Sequence, residues 1–309
     1  MKILIAEYAS ALGIGGTCEL EGRAMLSTLA LSFWRCGHDI VYPTSGQRIE
    51  IGHPVLLKRQ EEFAGFLDSI DADAGLLVAP DELQPDLLEI IEDKTVNLGC
   101  SPQVALVCAD KLYCTQRLKN NDVPVAEIFT GLESSEKGCH RYVIKPRMGC
   151  GSEGIRISST SKAPDGHIAT RFYEGVHLST SFIVGEKFLP LTINRQLIKF
   201  EGDGISYDGS QVPYRTPRAA EIWEASKKAA KVLQLKGYAG IDFVVSALPR
   251  VVDVNARPTT SIIGITRVMK HELADLILRA RFGGMPEEVE VNGDYIFRKE
   301  ELRGYPSKI

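Results

Sequence analysis

Between Val143 and Ile155 the chain reads Val-Ile-Lys-Pro-Arg-Met-Gly-Cys-Gly-Ser-Glu-Gly-Ile. An extended run delivers Lys145, glycines follow at 149, 151 and 154, and a second apolar run begins. Glycines let backbone N–H groups approach a polyphosphate without side-chain obstruction, and a lysine at the edge adds a point charge. The pattern suits a phosphate cradle between strands, and Lys111 supplies a second cation upstream. It is not a Walker A loop, because no G-K-[ST] opens a helix. Taken by itself, a glycine-rich hairpin with an incidental lysine is the plainer alternative.

Near the C-terminus Asp253, Asn255 and Arg257 are spaced two apart, so a strand that continues that far points all three to one face. A turn at Leu248-Pro249 lays the preceding strand alongside and lets Asp242 converge on them. Two carboxylates and an amide oxygen are hard ligands that suit magnesium shared with substrate phosphates. The loop Gly13-Ile14-Gly15-Gly16-Thr17 invites a dinucleotide reading, but Cys18 replaces the third glycine and the second strand ends Tyr42-Pro43 without a carboxylate. That leaves a tight turn, either structural or closing over a small substrate. No Ser-His-Asp or Cys-His constellation stands out.

The elements that position these residues fall into three stretches. Up to about residue 98, buried strands at Lys2–Ala6, His38–Tyr42 and Gly75–Ala79 alternate with helical patterns from Glu21 to Gly37, Gln60 to Ser69 and Gln84 to Asp93. That alternation implies a parallel sheet covered on both faces. Ser101-Pro102 opens a helix that carries Lys111 on its middle turns. Short β-branched runs follow, including Phe172–Tyr173, then a helix from Thr216-Pro217 to about Leu235 and strands at Ala239–Val245 and Arg250–Asn255. The expected division is 1–98, 99–168 and 169–309.

The chain has 309 residues, 44% hydrophobic and 25% charged, with 36 Lys plus Arg against 40 Asp plus Glu. This is globular composition and argues against a sequence-independent nucleic-acid or membrane-surface binder. Glu7 interrupts the first apolar run before it can form a signal-peptide core. Seven cysteines without a C-x-x-C pair read as core thiols in a reducing cytoplasm, which is the expected location.

The order Lys111, Lys145 with its glycine loop, Phe172-Tyr173-Glu174-Gly175, Asp242, then Asp253-x-Asn255-x-Arg257-Pro258 resembles the ATP-grasp superfamily from about residue 100 to 282. The resemblance implies an α/β unit followed by two α+β lobes that clasp ATP. It places Lys111, Lys145, Gly149, Gly151 and Gly154 on the phosphates and the linker Thr170, Arg171, Phe172 and Tyr173 on the adenine. Asp242, Asp253 and Asn255 fall on magnesium, or manganese in its place. Some positions depart from the pattern. Thr170-Arg171 stands where the linker commonly has an acid, His177 where a carboxylate often holds the ribose, and Asp253 where Glu is usual. Gly240 replaces an arginine of some family ligases, leaving Arg195, Arg215 or Arg257 to stabilise the transferred phosphoryl group.

Within the superfamily, Glu7-Tyr8-Ala9, Asn97-Leu98-Gly99-Cys100-Ser101, Asp110-Lys111, Pro190-Leu191, Asn194-Arg195-Gln196-Leu197-Ile198, Gly240-Ile241-Asp242 and Arg257-Pro258-Thr259-Thr260 resemble the archaeal tyramine–L-glutamate ligases of methanofuran biosynthesis. The resemblance implies an ATP-dependent carboxylate–amine ligase that works through an acyl phosphate, with L-glutamate and tyramine as partners. Glu7, Tyr8 and Arg23 are candidate substrate contacts, each equally well a strand-end or helix-surface residue. Another acid and amine pair, or a nucleotide-binding regulator without turnover, are the alternatives. The oligomeric state stays open, a homodimer included.

Overall fold

The computed structural model describes residues 1–59, 61–129, 141–149 and 154–304. Its first unit contains β1 (Lys2–Glu7), α1 (Tyr8–Leu12), α2 (Gly16–Arg35), β2 (Asp39–Thr44), β3 (His53–Leu56), α3 (Glu62–Ser69), β4 (Ala74–Val78), α4 (Gln84–Lys94) and β5 (Val96–Asn97). The strands pair in parallel in the order β3-β2-β1-β4-β5. Strands β1 and β4 are near-continuous apolar runs because both faces are covered. Met25, Leu29 and Phe33 of α2 pack on one face, and Phe63, Phe66, Leu88 and Ile91 of α3 and α4 on the other.

Ser101 caps α5 (Pro102–Ala109), its hydroxyl accepting the Val104 N–H. The expected helix through Lys111 breaks at Asp110. That carboxylate accepts the N–H groups of Leu112 and Tyr113 and opens α6 (Lys111–Lys119), so Lys111 begins a helix instead of riding on its middle turns.

The following elements are β6 (Ile128–Phe129), β7 (Tyr142–Pro146), β8 (Arg156–Ser158), β9 (His167–Arg171), β10 (Val176–Val184), β11 (Phe188–Glu201), β12 (Gly204–Val212), α7 (Ala219–Leu233), β13 (Gly237–Val245) and β14 (Pro249–Asn255). They are followed by α8 (Ile262–Val268), α9 (Leu273–Phe282), β15 (Tyr295–Arg298) and a 3-10 helix, Lys299–Gly304. One sheet runs β14-β13-β10-β11-β12-β8-β7-β9-β6, with β15 on β12. Strand β9 extends through Arg171, so a division between 168 and 169 falls inside it. Phe172 and Tyr173, expected as strand, lie in the crossing from β9 to β10, where the chain leaves one ladder before joining the next.

Among the described residues two large cores and a small cluster of Tyr142, Ile144 and Ala169 hold this half. Helices α5, α6 and α7 cover the sheet face bearing Leu178, Ile193, Ile241 and Phe243. Ile262, Ile265, Leu273 and Leu276 of α8 and α9 join the core of α2, which ties the first unit to the last. Among the described residues, no helix is long and apolar enough to cross a membrane. Among the described residues Cys18, Cys36, Cys100, Cys108 and Cys114 form no disulfide, while Cys139 and Cys150 lie outside the described residues.

Candidate functional site

The register of the large sheet collects polar groups on the face turned away from α5, α6 and α7. Ser179 of β10 pairs with Asn194 of β11 and with Asp242 of β13, and Asp242 pairs with Asp253 of β14. Residues directly opposite in antiparallel strands share a face, so these four form one row. The next row is Thr192, Ser181, Gly240 and Asn255. Asn194 gives its amide N–H groups to Ser179 and Ser181; among the described residues its buried Oδ1 has no partner, and neither has the Thr192 hydroxyl.

Burial pushes the Asp242 carboxyl up to about 7, and the Asp253 charge adds to the effect; hydrogen bonds with Gln196 and Asn255 oppose it. Two carboxylates, one resisting ionisation chiefly because it is buried and further because the other faces it, form a donor set that a hard divalent cation would relieve. Among the described residues no group of three or more His, Cys, Asp or Glu side chains can hold a metal ion by itself. Its remaining ligands would come from amide oxygens and substrate phosphates, as is usual for magnesium. Gly240 lacks an arginine's reach for a local reason: a Cβ there would lie 2.8 Å from Thr259 Cγ2.

Two lysines close on this row. Lys111 Nζ donates to Gly149 O at 2.7 Å and lies 3.4 Å from Asp253 Oδ2 and 3.6 Å from Asp81 Oδ2. Its own N–H donates to Arg147 O, and the Arg147 guanidinium grips Asp110 with two hydrogen bonds, so the root of the glycine loop is clamped to the start of α6. Lys145 Nζ donates to Val252 O at 2.6 Å, which fixes β7 against β14. Gly149 and Gly154 frame the loop, and Gly151 lies outside the described residues.

Strand β14 ends at Asn255, and Arg257 follows in the turn beyond it. The Arg257 guanidinium nevertheless enters the site, with Nε 3.1 Å and Nη2 3.0 Å from Asp81 Oδ1. Arg195 does not enter it. Alternation along β11 gives the polar face to Asn194 and Gln196 and turns Arg195 to the helix side, over the Tyr214 ring. Arg215 is exposed in the connection between β12 and α7.

The crossing segment is held by stacking. The Arg141 guanidinium lies 4.3 Å from the Phe172 centroid and that of Arg250 lies 4.2 Å from Tyr173, contacts worth about 0.5–1 kcal/mol each where exposed. Thr170 is buried between β7 and β6, and Arg171 donates to Glu127. His177 shares the polar face with Ser179, and burial lowers its pKa below the ordinary imidazole value.

Asp81, Gln84 and Gln196 were missed as site residues by sequence reasoning. Asp81 and Gln84 follow β4 and reach across to Arg257 and to Ala256 O. Glu7 and Tyr8, expected near a substrate, are buried. Glu7 accepts the N–H groups of Ala9 and Ser10 at the start of α1, and Tyr8 packs edge-on against Phe63.

An ATP-grasp domain matches residues 108–261. A tyramine–L-glutamate ligase from Methanocaldococcus fervens is 32% identical over 301 residues, covering 90% of this chain and 93% of that protein. The crystal structure of an ATP-grasp superfamily protein from Archaeoglobus fulgidus superposes with a TM-score of 0.77 at 28% identity, over 96% of this chain and 92% of that one. N5-carboxyaminoimidazole synthetase from Staphylococcus aureus, complexed with ADP, shares the fold with a TM-score of 0.71 at 15% identity, over 96% and 81% of the two chains. A relative matched over nearly its whole length and a domain match that brackets Lys111, Lys145, Asp242 and Asp253 place this chain in the ATP-grasp family of ATP-dependent carbon–nitrogen ligases.

Proposed function

We propose that this protein joins the γ-carboxylate of L-glutamate to the amine of tyramine, coupled to cleavage of ATP to ADP and phosphate, as in methanofuran biosynthesis. The substrate pair rests on the similarity to the Methanocaldococcus fervens ligase. The observation that carries the chemistry is the convergence of Lys111, Asp81 and Arg257 with the Asp242–Asp253 pair.

In the proposed reaction a glutamate carboxylate oxygen attacks the γ-phosphorus of ATP and the bond to the β,γ-bridging oxygen breaks, giving an acyl phosphate and ADP. The amine nitrogen then attacks the acyl carbon, phosphate leaves with the C–O electron pair, and the amine proton is released. Such transfers depend on positioning and charge neutralisation more than on a covalent enzyme nucleophile. We assign Lys111, Lys145 and the N–H groups of the glycine loop to the phosphates, and Thr170 to Tyr173 to the adenine. His177 takes the ribose side. Asp242, Asp253 and Asn255 would hold magnesium, or manganese, which supplies charge neutralisation when bound. Of the three arginines, Arg257 is assigned to the transferred phosphoryl group, because Arg195 is turned away and Arg215 is exposed.

Incubation with ATP, magnesium, L-glutamate and tyramine tests the proposal. A mass increase matching glutamyl-tyramine, stoichiometric with ADP, is expected. ADP release with a different acid and amine but none with this pair would overturn the substrate assignment. Background ADP release across a panel of acids and amines would favour a nucleotide-binding regulator.

A further inference from the structure

A cavity of about 400 Å³ opens beside the first unit, walled by Gly16, Thr17, Glu19, Arg23, Gln47 and Arg303. It lies where the chain leaves β1 and β2 at their carboxyl ends, the end at which open parallel sheets take their ligands. None of its walls belongs to the residues assigned to nucleotide or metal.

Its chemistry is of two signs. Arg23 and Arg303 bring guanidiniums from α2 and from the C-terminal 3-10 helix. Arg23 gives Nη2 to Glu19 Oε1 at 2.9 Å, while its Nε is buried with no hydrogen-bond partner among the described residues. The 20-residue helix α2 starts at Gly16 without a side-chain cap. Gly15 and Gly16 have φ of 78° and 66°, and a Cβ at either position would meet nothing within 4 Å. The positive end of the α2 dipole therefore lies at an open backbone approach that any other residue would strain. Against this positive charge stands one carboxylate, Glu19, whose Oε2 accepts the Gly15 N–H at 2.8 Å. Two cations and one anion in a single wall favour a ligand carrying both charges over a polyanion, which Glu19 would repel.

The same turns of α2 touch the phosphoryl-transfer site. Glu21 accepts the hydroxyl of Thr260, three residues after Arg257, and a Cβ on Gly22 would lie 2.2 Å from the Glu7 carboxylate, which feels the Arg257 charge. Lys299 pairs with Glu21 and anchors the segment that carries Arg303.

We infer that this cavity binds the α-amino and α-carboxylate groups of the amino-acid substrate, with Arg23 and Arg303 on the carboxylate and Glu19 on the ammonium. The side-chain carboxylate is then left to extend toward Arg257. This inference rests on the proposed use of L-glutamate, and it makes the N-terminal unit and the C-terminal helix the readers of the amino-acid head group.

Equilibrium binding to the full-length protein, with magnesium and a nonhydrolysable ATP analogue present, tests it. The probes are L-glutamate, glutarate, which lacks the ammonium, and 4-aminobutyrate, which lacks the α-carboxylate. The wild type should bind L-glutamate at least tenfold more tightly than either analogue. Arg23→Gln should erase the preference over 4-aminobutyrate, Glu19→Gln the preference over glutarate, and Arg23→Lys should restore part of the first. Unchanged binding of the ATP analogue checks that each variant is folded. If Arg23→Gln does not fold, the exposed Gln47→Ala should still weaken L-glutamate two- to fivefold. Equal binding of the three probes by the wild type, or L-glutamate binding insensitive to Arg23 or, where Arg23→Gln does not fold, to Gln47, would overturn the inference. Amide formation with tyramine is read separately: discrimination intact without that amide removes the tyramine reading and leaves the cavity assignment standing.

Discussion

Lys111 and Lys145 are buried to the same degree, 5% and 6% exposed, and both feel the Asp253 charge, yet they are held in opposite ways. Around Lys111, burial works against the ammonium, but Asp253 and Asp81 outweigh it and its pKa is raised. Around Lys145, burial dominates, Lys111 pushes in the same direction, and the pKa is lowered despite Asp253 and Asp242. Its hydrogen bond runs to a neutral carbonyl, Val252 O, and among the described residues no carboxylate lies within salt-bridge distance of it. Lys111 is thus charged by the architecture, whereas Lys145 is a desolvated cation that gains most when a phosphate arrives.

Asp253 serves both lysines and one row of oxygen donors, so Asp253→Asn should do the greatest damage. ADP release should fall on the order of 1,000-fold, in the range seen when preorganised charge is removed from a transfer site. A loss of less than tenfold would break the comparison at its shared partner. The lysines themselves should then separate. Lys145→Ala should weaken ATP binding by tenfold or more with melting temperature unchanged or raised, because an unpaired buried charge is removed. Lys111→Ala should cost about 3 kcal/mol, because Asp81 loses one of its two cations and Asp253 is left facing Asp242. Equal thermal shifts in the two variants would refute the distinction.

Asp81 is the part of the Lys111 environment that comes from another unit, and it holds Arg257 as well. Asp81→Asn should lower kcat about 10- to 30-fold with KM for ATP changed less than threefold, and Asp81→Glu should recover part of the loss. A rise in KM alone would make Asp81 a nucleotide-binding group.

The parts of this arrangement legible in the sequence are those whose spacing is local. Lys145 and its glycines, and Asp253-x-Asn255 on an alternating strand, declare their geometry within a dozen residues. Asp242 was reachable because a short turn joins its strand to the next. Asp81 was not, because its partners lie 30 and 176 residues away and nothing near it marks a site. The face that Arg195 takes was not legible, because it depends on the register of β11 against β10, which a lone strand does not disclose. The break at Asp110 followed a rule visible in principle, since an aspartate before a helical stretch is a good cap, but the apolar periodicity ran through it.

Glu7 is the acidic counterpart of Lys145, buried and met mainly by N–H groups, with the Arg257 charge a smaller influence. Burial pushes its carboxyl up to about 7, against the hydrogen bonds from Ser10 and Ala9 and the charge of Arg257. The folded state therefore holds this proton more tightly than the unfolded chain, where an ordinary carboxyl titrates near 4.5. The stabilisation is fully present below about 4.5 and is lost as pH rises through 7, amounting to at most about 3 kcal/mol. Asp242, also pushed up to about 7, declines over the same window. Glu7→Gln should therefore remove about half of the fall in melting temperature between pH 5 and pH 8. It gives up one accepted N–H, a cost of about 1 kcal/mol at low pH, so the two melting curves should cross as pH rises. Melting curves that stay parallel from pH 5 to pH 8 would mean that Glu7 keeps its charge when buried, and that the contrast with Lys111 ends at Lys145.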